Sequence, residues 1–134
     1  MSTDCSVAAI VVKNGLFLVA RRGDCGGALS GLWEFPGGKL EEGETEGEGL
    51  IREFDEEFGA RLVPLRAVAE TSFTNKGRER RLVAWLAELP EGEKLELREH
   101  VAVSWLEFAA LSGIELADSD RKLLPALVSL VPIR

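Results

Sequence analysis

The spacing of apolar positions changes along the chain, and each change predicts a different element. Residues 6–12 and 16–20 are apolar runs rich in β-branched side chains, separated by Lys13-Asn14-Gly15. Asn-Gly between such runs is a strong hairpin signal, so two antiparallel strands are expected. A turn-rich stretch, residues 23–31, follows; residues 33–35 suit a brief strand, and Gly37-Gly38 allows the backbone to come close to a ligand. The period then lengthens. Thr45 with Glu48 three residues on has the form of a capping box, and Gly59 suits the residue after a helix end, which predicts a helix over residues 46–58. Leu50, Ile51, Phe54 and Phe58 fall on a flank expected to be buried, while Glu53, Glu56 and Glu57 share the adjoining face.

Beyond residue 60 the pattern returns to strands. Residues 62–73 alternate, with Pro64 placing the start near an edge or a bulge. After a turn at residues 74–77, residues 78–89 read as a strand whose mouth carries Arg78, Arg80 and Arg81. Residues 90–97 are acidic and turn-like, and residues 101–106 form a further strand. Residues 107–111 suit a short helix and residues 119–131 a second, capped by Asp118 or Ser119. Pro125 inside that helix would cost about 3 kcal/mol, so it is expected to begin only a few residues earlier or to be kinked.

Composition narrows the function classes. At 134 residues, 46% hydrophobic and 29% charged, the chain fits a single domain over residues 1–134 with its own core. No apolar run approaches the roughly 20 residues of a membrane span. Met1-Ser2-Thr3-Asp4 lacks the basic start of a secretory signal, so a cytoplasmic location without membrane contact is expected. The net charge of -7 argues against a nucleic-acid polymer, whose binding is driven by Lys and Arg on phosphates, but leaves room for a small-molecule nucleotide. Cys5 and Cys25 are isolated, which indicates neither a zinc site nor a disulfide, and both are expected as reduced thiols.

Three carboxylates on one helical face repel each other, and Gly47 and Gly49 each cost about 1 kcal/mol in a helix interior. A cation would relieve the repulsion, and such oxygen clusters suit Mg2+ or Mn2+. A solvated acidic face is the competing reading. The spacing decides between them: from Gly38, five residues lead to Glu44, seven more to Arg52-Glu53, then Phe54, one residue, Glu56-Glu57, one residue and Gly59. This resembles the signature box of the Nudix hydrolases at every fixed position. Phe54 and Ala60 stand where that family usually carries an aliphatic residue, a departure that affects packing and not metal ligands. The preceding residues Leu32-Trp33-Glu34-Phe35-Pro36-Gly37-Gly38-Lys39 are similar to the entry of the box in small MutT-like nucleoside triphosphate pyrophosphohydrolases.

The resemblance implies an α/β Nudix fold, a mixed β-sheet sandwiched between helices. It also implies Mg2+-dependent hydrolysis of a (deoxy)nucleoside triphosphate to the monophosphate and pyrophosphate, with Mn2+ able to substitute. The implied metal ligands are the Gly37 carbonyl, Glu53, Glu56, Glu57 and Glu99, the last from a loop glutamate that swings toward the metals in relatives. Arg52 would orient a glutamate, Glu44 would be an outer acid, and the proton could pass to Glu53, Glu56, Glu57 or Glu99. Arg22, Phe35 and Arg78 are implied substrate contacts, although Arg22 also reads as a solvated strand end and Arg78 as a charged hairpin tip. His100 stands beside Glu99 in what reads as a loop, where a lone histidine is more often incidental than a general base.

Base choice rests on Asp120. The segment at residues 116–124 looks like the one with which MutT-like enzymes read the base, where asparagine goes with oxidised guanine and aspartate occurs in relatives acting on cytidine triphosphates. A carboxylate can accept from the cytosine amine, yet Asp120 equally suits a charge complementing a helix N-terminus. A cytidine-type base is therefore favoured over 8-oxo-dGTP. The rivals are another diphosphate, such as ADP-ribose or a dinucleoside polyphosphate, and a non-catalytic nucleotide sensor.

Overall fold

The computed structural model describes residues 4–24, 27 and 29–131. Cys25 and part of the turn-rich stretch at residues 23–31 lie outside the described residues. The two opening runs form β1 (Cys5–Lys13) and β2 (Leu16–Arg22), joined by Asn14 and Gly15 at φ 54° and 78°. Positive φ at both central residues is the requirement of the tight hairpin turn that the dipeptide predicts.

β1 is the hub of the sheet. Through residues 6 to 8 it pairs antiparallel with β4 (Gly37–Lys39), and through residues 5 to 11 it pairs parallel with β6 (Arg78–Glu88). β2 also pairs with β3 (Trp33–Glu34) and with β7 (His100–Leu106), while β6 forms a long hairpin with β5 (Val63–Asn75). One parallel pair among antiparallel ones makes the sheet mixed. The expected irregularity at Pro64 is present as a register shift between Pro64 and Arg66.

Alternation along the strands sends apolar side chains to both faces. Val7, Ala9, Val11, Leu18 and Ala20 face α1 (Glu46–Phe58), which packs Leu50, Phe54 and Phe58 against them. Ala8, Ile10, Phe17 and Val19 face the other way, where α2 (Phe108–Leu111), α3 (Asp118–Arg121) and α4 (Leu124–Leu127) supply Leu111, Leu123 and Leu127. A sheet covered on both faces explains why its central strands read as continuous apolar runs. Among the described residues, no helix is long and apolar enough to cross a membrane.

α1 has the predicted bounds and caps. The Glu48 N–H donates to Thr45 Oγ1 at 3.1 Å, the Thr45 N–H donates to the Glu48 carboxylate at 2.9 Å, and Gly59 closes the helix at φ 62°. The buried flank is rotated from the one expected. Ile51 is 43% exposed, and the buried stripe runs through Leu50, Phe54, Glu57 and Phe58, so a glutamate occupies the place expected of an isoleucine. The single helix expected over residues 119–131 is replaced by α3, α4 and a 3-10 turn (Val128–Leu130). Pro125 lies in the first turn of α4, where its missing N–H breaks no helical bond. Neither Asp118 nor Ser119 caps α3; Ala117 holds that position without a side-chain bond, and Ser119 Oγ donates to Asp120 instead.

Candidate active site

The three carboxylates of α1 form a gradient of burial. Glu56 is exposed, Glu53 is half-buried, and Glu57 is 4% exposed. Glu57 Oε1 accepts the Gly37 N–H at 3.1 Å. Burial, then the charges of Glu34 and Glu53, push the Glu57 carboxyl up to about 9, and the Gly37 N–H pulls in the opposite direction. Glu53 is also raised, first by burial, with Arg52 opposing. Exposed Glu99 raises both through its charge, so it stands within electrostatic reach of the cluster.

Arg52 ties the cluster together. Its Nε and Nη2 donate to both oxygens of Glu44 at 2.7 and 2.9 Å, Nη2 also donates to the Lys39 carbonyl at 3.1 Å, and Nη1 reaches Glu53 at 3.0 Å and Glu56 at 3.3 Å. A bidentate guanidinium–carboxylate pair fixes orientation as well as distance. It also holds the Glu44 carboxyl below its usual range. The two glycines beside this cluster leave no room for side chains: a Cβ at Gly37 would strike the Val7 carbonyl, and one at Gly38 would run into the Glu53 carboxylate.

Gly37 and Gly38, which lie against Glu57 and Glu53, line a cleft of about 220 Å3 whose walls also include Arg22, Glu34, Phe35, Phe73 and Asp120. A second hollow of about 490 Å3 shares Leu29, Phe73, Asn75 and Ser119 with it. Glu34 lines this cleft. Its Oε1 accepts Arg22 Nε at 2.9 Å, its Oε2 lies 2.8 Å from His100 Nε2, and its charge raises both Glu57 and Asp120. Asp120 is buried, accepts the Phe35 N–H on Oδ2 at 2.8 Å, and is pushed up to about 7, chiefly by burial.

Glu44, Arg52, Glu53, Glu56 and Glu57 therefore form one group, with Glu99 at its margin. Arg22, Phe35, Gly37 and Asp120 meet at the cleft. Arg78 stands apart: it is at the tip of the β5–β6 hairpin, 2.7 Å from Asp4, and the cleft is lined instead by its strand partner Asn75. Two further residues belong to the site. Glu34 lies in the quoted entry to the box but carries no spacing signal of its own. His100, expected in a loop, begins β7 and is buried. A register skip opposite Arg21 and Arg22 drops Val101 from the ladder and brings His100 opposite Arg22. A bulge of this kind turns a side chain toward a site without leaving a mark in local periodicity.

The donor chemistry fits a hard divalent cation. Glu53, Glu56 and Glu57 lie on one face of α1, Arg52 bonds Glu53 and Glu56, and among the described residues no cationic side chain pairs with the buried Glu57, so its charged form lacks compensation from the protein. One ligand atom each from Glu34, Glu57 and His100 also lies within 4.8 Å of the others. Both Glu34 oxygens are already engaged by Arg22 and His100, so this trio is better described as Glu57 with supporting groups.

The chain is similar to known proteins in sequence and fold. The chain is 36% identical over 124 residues to the CTP pyrophosphohydrolase of Escherichia coli, covering 92% of this chain and 90% of that protein. It is 35% identical over 118 residues to the putative 8-oxo-dGTP diphosphatase 2 of Mycobacterium tuberculosis, covering 86% and 81%. The solution structure of the E. coli ORF135 protein superposes with a TM-score of 0.82 at 35% identity, covering 94% of this chain and 89% of that one. The family model for the NUDIX domain matches residues 3–127, and with the carboxylate helix and its Gly37-Gly38 entry in place, the chain belongs to the Nudix hydrolases.

Proposed function

We propose that this Nudix hydrolase cleaves a (deoxy)nucleoside triphosphate to the monophosphate and pyrophosphate, that it requires Mg2+ or Mn2+, and that it favours a cytidine-type base. The activity is assigned to one domain over residues 1–134. The observation that carries the reading is the position of Glu57, buried at the junction between the acidic face of α1 and the cleft.

Glu53, Glu56 and Glu57, with Glu99 and the backbone of Gly37, would hold the cation. Such a cation, when bound, neutralises phosphate charge and acidifies a water. Arg52 keeps Glu44, Glu53 and Glu56 in register with the strand that carries Gly37-Gly38. Arg22, at the cleft wall, presents a planar fork suited to phosphate oxygens. Phe35 and Phe73 supply apolar wall. Asp120 retains acceptor capacity beyond its bond to Phe35, since each carboxylate oxygen offers two lone-pair sites, and it can take the exocyclic amine of cytosine.

The similarity to a CTP pyrophosphohydrolase supports the base assignment. The similarity to a putative 8-oxo-dGTP diphosphatase, together with the hollow of about 490 Å3 beside the cleft, supports oxidised guanine as the second reading. A panel of CTP, dCTP, 5-methyl-dCTP, 8-oxo-dGTP, ADP-ribose and diadenosine tetraphosphate, assayed with Mg2+ and with Mn2+, separates them by kcat/KM. The highest value is expected for a cytidine nucleotide with pyrophosphate as co-product. A higher value for 8-oxo-dGTP would overturn the base assignment, and binding without hydrolysis would overturn the enzymatic one.

A further inference from the structure

His100 has no part in the roles assigned above, yet its side chain is only 3% exposed beside the cleft. The ring lies flat over Phe58, with centroids 5.4 Å apart and planes 6° from parallel. Its Nε2 is 2.8 Å from Glu34 Oε2. An ionised carboxylate only accepts, so in this pair Nε2 carries a proton and donates. Nδ1 is buried without a hydrogen-bond partner among the described residues.

The chain on either side of Glu99 is tied down. Before it, the Glu96 N–H donates to the Phe58 carbonyl at 2.8 Å, the Arg98 N–H to the Glu57 carbonyl at 3.3 Å, and Arg98 Nη1 to the Asp55 carbonyl at 3.2 Å. Gly59 makes this docking sterically feasible, since a Cβ there would strike Arg98 and Glu96. After Glu99, His100 bonds to β3 through Glu34. Glu99 thus projects from a backbone latched to the end of α1 on one side and to β3 on the other, with its own side chain exposed.

We propose that His100 is a positioning residue of the hydrolytic site: its Nε2–H···Glu34 bond pins the head of β7 to β3, holding Glu34 between Glu57 and Asp120 and fixing where Glu99 projects. The role needs no change in the charge of the imidazole. It rests on reading the α1 carboxylates as a cation-dependent hydrolytic centre. Had His100 served only as filling, an aromatic ring stacked on Phe58 would do as well, and the N–H donor separates the two cases.

The test uses His100→Phe, which keeps the ring and removes the donor, and His100→Gln, which returns an amide N–H at similar reach. Mn2+ affinity is measured by electron paramagnetic resonance without nucleotide, kcat and KM at saturating Mg2+, and Tm in EDTA. Groups that orient metal-binding side chains typically affect affinity or activity 10- to 100-fold. The Phe variant is therefore expected to lose at least about tenfold in Mn2+ affinity and in kcat, with KM within about threefold and Tm little changed. The Gln variant is expected within about threefold of the unmodified protein in both. Unchanged values in the Phe variant, or equal losses in both variants, would overturn the proposal. Should the Phe variant not fold, the Gln variant decides: near-native Mn2+ affinity upholds the donor, and its loss overturns it. His100 is the chain's single histidine, so its imidazole 15N signals are unambiguous, and an Nδ1-protonated tautomer would also overturn the proposal. Unmodified protein that neither binds Mn2+ nor hydrolyses any nucleotide fails the functional reading first, before any variant is compared, and the proposal falls with it.

Discussion

Replacing Glu57 by glutamine should stabilise the cation-free protein at alkaline pH while destroying its activity. The two side chains have nearly the same shape, and the glutamine carbonyl can still accept the Gly37 N–H that Glu57 Oε1 accepts at 3.1 Å. In the cation-free fold the Glu57 carboxyl titrates near 9 rather than at its ordinary 4.5. Between those values the folded chain holds a proton that the unfolded chain has released, so stability is full below about 4.5 and is lost as pH rises through about 9. The slope from one such group is about 1.4 kcal/mol per pH unit, or at most about 2.7 kcal/mol between pH 6 and pH 8. Glutamine has no proton to lose, so Glu57→Gln removes this slope. Glu53 and Asp120 contribute slopes of the same sign in both proteins, so the difference between the proteins reports Glu57 together with its coupling to Glu53.

Urea unfolding in EDTA at the two pH values measures this directly. The stability of the variant relative to the unmodified protein should rise from pH 6 to pH 8 by up to about 2.7 kcal/mol. Mg2+ at a hundred times its dissociation constant should then raise the unmodified protein by about 2.7 kcal/mol and the variant by much less. The kcat of the variant should fall at least about a hundredfold, the lower range for loss of a proton-transfer or charge role. A stability difference that is the same at pH 6 and pH 8 would refute the reasoning, because it would mean that Glu57 is ionised in the fold without a cation.

Chelation by EDTA should abolish turnover and added Mg2+ or Mn2+ should restore it; full activity in excess EDTA would remove the cation from the mechanism. Arg52→Lys keeps the charge but loses the fork on Glu44 and the bond to the Lys39 carbonyl, so Mn2+ affinity and kcat should each fall about tenfold, with unchanged values showing that the carboxylates hold their places unaided. Asp120→Asn should move the ratio of kcat/KM between dCTP and 8-oxo-dGTP toward the latter by about tenfold or more. If both values fall together, Asp120 serves only to hold Phe35 and does not read the base.

The parts of the site that could be read from the sequence are those fixed by near neighbours. Thr45, Glu48 and Gly59 set the ends of α1 through bonds spanning three or four residues, and the carboxylate spacing follows from helical geometry alone. The sequence pattern could not distinguish Glu56 from Glu57, because their difference lies in what packs above the helix. Glu57 is covered by the Gly37 turn 20 residues away, and Glu56 is not. Distance along the chain also hid the bonds that Asp120 and His100 make. Asp120 reaches Phe35 across 85 residues, and His100 reaches Glu34 across 66. At the C-terminal end, Pro125 signalled the break, but the side-chain bond from Ser119 to Asp120, which competes with capping, depends on where the segment docks.

The placement of the site follows from a fork in the sheet. β1 pairs with β4 at residues 6 to 8 and with β2 only at residues 12 and 13, so the strands beside one edge of β1 separate between these points. Part of the opening is spanned by the Pro36 carbonyl, which accepts the Ala9 N–H at 2.7 Å. Gly37 follows immediately, and a side chain there would strike β1, so this backbone can lie close to the hub strand only as glycine. Glu57 rises to it from α1, while β2 carries Arg22 and pairs with both β3 and β7, the strands of Glu34 and His100. Ala20, opposite Glu34 and fully buried, leaves space beside the longer polar side chains. The apolar core ends at this fork, and its polar boundary carries a chain of bonds from Arg22 through Glu34 to His100. Glu57, between that chain and the exposed glutamates of α1, is the group whose charge the fold leaves uncompensated, and that is the physical reason for assigning the cation there.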